Sequence, residues 1–156
     1  MSVKFSRIDD RLIHGQVVTT WVNVYKVEQI IIVNEKAAND KMQSTVLKMS
    51  APANTVLHIF PPDKFLSIVQ KNPIKKDTML IFANVEDVLY LVEHGFSIPH
   101  LNVGGMRPNE NRTTITKAVA LTDGERECFR KLIDKGIDVE IQMVPKDEVI
   151  KIKEVL

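Results

Sequence analysis

The sequence predicts an α/β fold: one three-layer domain over residues 1–156, with a mostly parallel central sheet and helices on both faces. Three observations carry this expectation. Apolar runs of strand length alternate with segments of helical periodicity, and they do so at roughly the 30-residue period of a βαβ unit. The run QIIIVN is apolar without interruption, as a strand covered on both faces must be. No low-complexity or linker segment interrupts the alternation.

Composition bounds the functions open to such a fold. The 156 residues are 44% hydrophobic and 26% charged with a formal net charge of +1, the balance of an ordinary globular protein. A chain of this length buries roughly two thirds of its unfolded surface. The near-zero charge and the lack of a basic tail argue against nucleic acid as a partner. No apolar stretch approaches the ~20 residues that span a bilayer, and MSVKFSRIDD has no signal-peptide apolar region. A cytoplasmic location is expected. The single cysteine, Cys128, falls with Phe129, Leu132 and Ile133 on the apolar side of a helix and reads as a buried structural thiol. The four histidines show no paired spacing of metal ligands, so no metal is expected.

The first element is a strand through Val3, Phe5 and Ile8, ending at Asp9-Asp10. Beyond the loop, Val17, Val18, Trp21, Val22 and Tyr25 recur at helical spacing. His14-Gly15-Gln16 therefore sits at a helix N-terminus, where free N–H groups and the positive end of the dipole favour an anion. Gly15 lets backbone approach closely, and Arg11 adds a guanidinium fork matched to phosphate oxygens. These positive surroundings disfavour protonated His14 and leave a neutral, nucleophilic imidazole unless a carboxylate cancels the effect. Asp9 and Asp10 are the carboxylates in question. They could instead orient the ring, accept its other N–H, or tether Arg11 and Arg7. Two readings stay open at this point: a nucleophile beside an anion cradle, or a helix start in a solvated turn.

The second strand, QIIIVN, ends at Asn34. Lys36 to Ser50 then reads as one helix with Ala38, Met42, Val46 and Met49 towards the core. Thr55 to Phe60 forms a strand, and Pro61-Pro62-Asp63 turns into a helix with Phe65, Leu66 and Val69 inward. His58 is a core or face residue of that strand. Thr78 to Ala83 is the fourth strand; Asn84 caps a helix that buries Val85, Val88, Leu89 and Val92 and closes at Gly95. His94 and His100 read as surface or turn residues. The fifth strand runs through Leu101 and Val103 to Gly104-Gly105, whose N–H groups lie at a carboxyl end, where open α/β sheets bind ligands. Asn34, Asn84 and the glycine pair are thus gathered with the Asp9–Gln16 loop. Thr113 to Leu121 supplies a short sixth strand, and Thr122 to Glu125 fits a helix capping box closed later by Gly136. Val139, Ile141 and Met143 alternate as in a half-exposed edge strand, and Pro145 leads to a final helix over Asp147 to Val155.

The stretches RIDDRLIHGQ, IIIVNE and LNVGGM, with the Trp21 helix between the first two, resemble the IIB component of the mannose/fructose/sorbose family of the bacterial sugar phosphotransferase system. The resemblance covers essentially the whole chain. It implies a cytoplasmic phosphocarrier, peripherally associated with a membrane transporter. His14 would accept a phosphoryl group on Nδ1 from a IIA phosphohistidine and pass it to a sugar carried by IIC and IID. Arg11 would hold that group, Asp9 and Asp10 would orient the participants, and Gly15, Gln16, Gly104, Gly105 and Asn84 are the phosphate-binding candidates. A covalent phosphohistidine intermediate is expected, with no cofactor. The polar segment MRPNENRTTITKAV departs from the family pattern and leaves the roles of Arg107 and Arg112 open. The sugar and the oligomeric state are unspecified, a homo-oligomer being one option.

Two alternatives use the same residues. A signalling receiver domain would bind Mg²⁺ at Asp9-Asp10, but it needs an aspartate after the third strand and a lysine after the fifth, where Phe60-Pro61 and Gly104-Gly105 stand. A non-catalytic α/β module would hold a phosphorylated metabolite or a protein at the same cradle.

Overall fold

The computed structural model describes residues 2–156, which run β1 (Val3–Asp9), α1 (Val17–Tyr25), β2 (Gln29–Val33), α2 (Glu35–Asn39), α3 (Lys41–Met49), β3 (Val56–Phe60), α4 (Pro62–Lys71), β4 (Thr78–Phe82), α5 (Val85–Glu93), β5 (His100–Gly105), β6 (Thr113–Thr114), β7 (Ala120–Leu121), α6 (Asp123–Asp134), β8 (Asp138–Ile141) and β9 (Ile150–Lys151), with a 3₁₀ turn at Ile152–Glu154. Seven strands form the main sheet in the order β3-β2-β4-β1-β5-β8-β9. All neighbours pair in parallel except β8 and β9.

The two-residue period of the strands divides the core between the faces. Ile30, Ile32, Met79 and Ile81 meet Trp21, Val18, Ala37 and Leu47 on one side, under α1, α2 and α3. Ile31, Val33, Leu80 and Phe82 meet Phe65, Val88, Phe129 and Leu132 on the other, under α4, α5 and α6. The continuous apolar runs of β2 and β4 follow directly, because both faces are covered.

Helix boundaries follow their caps. The Asn34, Asp40 and Asn84 side chains accept from the backbone N–H groups of Ala37, Gln43 and Asp87. Thr122 and Glu125 close a reciprocal capping box at α6. Gly95 and Gly136 end α5 and α6 at φ +93° and +85°.

Four expectations need correction. The segment Lys36–Ser50 is two helices, because the extended backbone of Asp40 breaks it and its side chain starts α3 afresh. That break resets the helical phase: Ala37 and Leu47 take the core positions, whereas Met42, Val46 and Met49 face solvent. Thr113 to Leu121 is not one strand but two short antiparallel ones, β6 and β7, outside the main sheet. β8 is not an edge strand, since it pairs with both β5 and β9, but it keeps the expected alternation, with Val139 and Ile141 buried, Glu140 half-buried and Asp138 exposed. The expected final helix is mostly absent; Ile150 and Lys151 pair with β8, and Ile152 is buried just beyond.

Candidate functional site

β1 is where the winding of the sheet reverses. The chain leaves it over one face through α1, and α5 carries it past on the other face to β5. A crevice opens at such a point beyond the strands' carboxyl ends. Asp9, the last residue of β1, pairs there with Gly105.

The loop that follows is drawn inward by Leu12. Its side chain is buried in the α1-side core, its N–H donates to the Asp9 carbonyl at 2.9 Å, and its φ is +60°. A left-handed leucine is costly, by about 1 kcal/mol or more, so burial is what holds it. Gly15 takes a second left-handed turn at φ +51°. Gln16 then stands at the N-cap of α1 with no side-chain hydrogen bond, and no acidic residue lies in the first turn. The first N–H groups of α1 remain open to an anion.

Asp9 organises the centre. Its Oδ1 accepts the Arg11 backbone N–H at 3.0 Å, and its Oδ2 lies 3.4 Å from His14 Nε2 and 3.4 Å from Arg7 Nη2. The Arg11 guanidinium is half-exposed with its Nε 4.0 Å from Asp9. The His14 side chain is 18% exposed, yet both ring nitrogens are shielded and neither makes a hydrogen bond among the described residues. Burial pushes its pKa below the usual histidine value; Arg11, Arg7 and Arg107 push the same way, against Asp9. The neutral form of the imidazole is thereby favoured.

Arg7 lies beneath this centre, 1% exposed. Its Nη1 donates to Asn102 Oδ1 at 2.6 Å and to the Gln142 carbonyl at 3.3 Å, and the guanidinium sits 5.6 Å from the Trp21 ring centroid. Trp21 Nε1 in turn donates to the Met143 carbonyl at 2.9 Å. Gly104 exists for this arrangement: a Cβ there would fall 2.0 Å from Arg7 Cζ.

On the outer side, Asp10 is bound to two arginines. Its Oδ2 accepts the Arg107 backbone N–H at 2.9 Å and faces Arg112 Nη1 at 3.5 Å; its Oδ1 lies 3.3 Å from Arg107 Nε. Arg112 is bidentate to Glu125, at 3.0 and 2.7 Å, and also donates to the Arg107 carbonyl at 2.8 Å.

The structure thus brings Asp9, Asp10, Arg11, His14, Gly15 and Gln16 together, and sets Arg107 and Arg112 against Asp10. It gives other tasks to three of the phosphate-binding candidates. The carbonyl oxygen of Asn84 is used by the α5 cap. Gly104 and Gly105 are buried, the first making room for Arg7 and the second offering its carbonyl to the Asp10 N–H at 3.1 Å. Sequence reasoning missed the buried Arg7–Asn102–Gln142 set. The available signal was Arg7 two residues before Asp9, hence on the same strand face, within a strand otherwise destined for the core.

At the opposite end of the sheet, His100, Asp138 and Glu140 hold donor atoms within 4.8 Å of one another. Both carboxylates bind the single Lys151 ammonium, and His100 Nε2 lies 3.1 Å from Glu140. His58 is exposed on β3, and His94 is exposed with its Nδ1 2.7 Å from the Tyr90 carbonyl. Cys128 is half-buried, and burial pushes its thiol pKa up, as suits an unreactive thiol.

A family model described as the PTS system sorbose subfamily IIB component matches residues 3–156. The chain is 36% identical to the fructose-specific EIIB component of Bacillus subtilis, over 94% of this chain and 91% of that protein. It is 37% identical to the mannose-specific EIIAB component of Escherichia coli K12 over its whole length, but spans only 49% of that relative. Among solved structures, the IIB domain of the sorbose permease of Klebsiella pneumoniae superposes with a TM-score of 0.93 at 33% identity, covering 99% of this chain and 95% of that one.

Proposed function

The chain belongs to the sorbose subfamily of phosphotransferase-system IIB components, phosphotransferases of sugar uptake, and from that membership we propose that His14 is its phosphoryl carrier. The observation that carries this reading is the largely buried imidazole set beside Asp9 and among arginines at the carboxyl end of β1, where burial and the arginines hold its pKa below the usual histidine value. With Nε2 facing the Asp9 carboxylate, the ring proton belongs on Nε2 and the lone pair on Nδ1. In the first step Nδ1 attacks the phosphorus of a IIA phosphohistidine in line. A P–N bond to His14 forms as the donor's P–N bond breaks. In the second, a sugar hydroxyl oxygen attacks, the P–N bond to His14 breaks, and the hydroxyl proton is released.

Charge on the phosphoryl oxygens is met by Arg11 and by the open N–H groups at Gly15, Gln16 and the start of α1. Because both ring nitrogens are shielded, the ring turns outward for each transfer. No cofactor takes part. The E. coli relative's designation as an EIIAB component supports a IIA donor, and the sorbose-permease relative supports IIC and IID membrane partners. Among the described residues no helix is long and apolar enough to cross a membrane. Relatives are named for fructose, mannose, sorbose and N-acetylgalactosamine, which supports a hexose, hexosamine or related sugar without choosing among them.

The test is phosphorylation of the purified protein by phosphoenolpyruvate, the general phosphotransferase proteins and a cognate IIA. An acid-labile, alkali-stable label that disappears in His14→Ala is expected. Because His14 titrates below its usual value of about 6.5, uptake stays level as pH falls through that value and declines only below it. No label from a verified donor would leave a module that merely binds an anion at the cradle.

A further inference from the structure

Two arginines touch Asp10, and they are not equivalent. Arg112 is 12% exposed and fully engaged: Nε and Nη2 hold Glu125, while Nη1 serves Asp10 and the Arg107 carbonyl. Arg107 is 65% exposed, and its side chain has one close partner among the described residues, Asp10 Oδ1 at 3.3 Å from Nε. That contact lacks hydrogen-bond geometry, for Oδ1 is shielded and has no hydrogen bond among the described residues. The backbone beneath it is by contrast firmly held. Arg107 N–H donates to Asp10 Oδ2, and Met106 exchanges hydrogen bonds with Ala118 and Ala120 at 3.0 and 2.9 Å. A guanidinium with both terminal amino groups uncommitted is thus anchored at its Cα two residues beyond Gly105, the partner of Asp9.

We propose that Arg107 is a mobile phosphoryl-contacting residue, which leaves Asp10 for the phosphoryl group on His14 and returns when that group departs. The inference rests on His14 as the acceptor. A phosphoryl group brings about two negative charges and three acceptor oxygens, a better match for the guanidinium fork than one oxygen of a carboxylate already held elsewhere. Arg112 makes the exchange affordable. It stays on Asp10, so the released carboxylate keeps a cation and the Arg107 backbone N–H. The buried Arg7, bound by Asn102, Asp9 and the Gln142 carbonyl, has no such freedom.

The experiment compares wild type with Arg107→Gln, Arg107→Lys and Arg130→Gln. Arg130 is an exposed arginine paired with Glu127 on α6 and controls for the lost charge. Two quantities are read: the equilibrium of phosphoryl transfer between IIA and His14, and the phosphoryl pKa from a ³¹P NMR titration of the phosphorylated protein. Arg107→Gln is expected to raise the phosphoryl pKa by roughly half a unit to a unit. It should also move the equilibrium towards IIA by up to about fivefold, as one lost charge pair does. Arg107→Lys should fall between the two, since it restores charge without the fork. A labelled wild type with Arg107→Gln indistinguishable from Arg130→Gln overturns this inference alone. A wild type that takes no label overturns the assignment of His14 and this inference with it.

Discussion

At the scale of single residues, the site depends on a side chain that never reaches its surface. Arg7 supplies a positive charge below Asp9, and it fits because position 104 lacks a Cβ. Gly104→Ala forces the methyl group against the guanidinium, or the guanidinium out of its contacts with Asn102 and the Gln142 carbonyl. We expect a loss of about 1–3 kcal/mol in stability from this overpacking, read as a lower urea midpoint with an unchanged m-value. Gly105→Ala serves as the comparison, since a Cβ there meets Asp9 Oδ1 at 3.7 Å, an ordinary contact. Equal effects at the two positions would mean that the room left for Arg7 is not what Gly104 provides.

At the scale of elements, caps decide what faces inward. A pattern of methionines and alanines across residues 36–50 looks like one amphipathic helix, and its phase places Met42, Val46 and Met49 in the core. Asp40 instead caps a new helix, and the phase restarts. Leu47, 5% exposed, becomes the buried side chain, while Met49 is 81% exposed. Leu47→Ala should therefore cost about 2–5 kcal/mol of stability and Met49→Ala within about half a kcal/mol of nothing. Chemical denaturation of the two variants checks this; comparable losses would restore the continuous helix. A similar effect governs the C-terminus. Residues 150–151 add a strand to β8, where Lys151 meets Asp138 and Glu140.

For the whole molecule, the strand order puts β4 and β1 at the centre and β3 and β9 at the margins. Every residue of β4 and the last five of β1 are buried, whereas Val56 and His58 of β3 are exposed. Hydrogen exchange should be slowest in Met79–Phe82 and Phe5–Ile8, and faster in β3 and in Ile150–Lys151. Uniform protection across the sheet would contradict this ranking. Arg7 and Asp9 belong to the buried part of β1, whereas His14 stands on the loop that follows it.

The sequence by itself determined the alternation of strands and helices, the both-face burial of β2 and β4, the Asn84 and Thr122–Glu125 caps, and the grouping of Asp9, Arg11, His14 and Gly15. All of these are local: periodicity, capping and loop chemistry act within a few residues, so they can be read along the chain. Only the tertiary structure decided that Arg7 meets Asn102 and the Gln142 carbonyl, that the missing Cβ of Gly104 leaves room for Arg7, that Arg112 is committed to Glu125 while Arg107 is not, and that β8 is interior. These pairings join residues far apart in sequence, up to 135 positions for Arg7 and Gln142. Their energies depend on burial and distance, and both are set by how the sheet orders its strands.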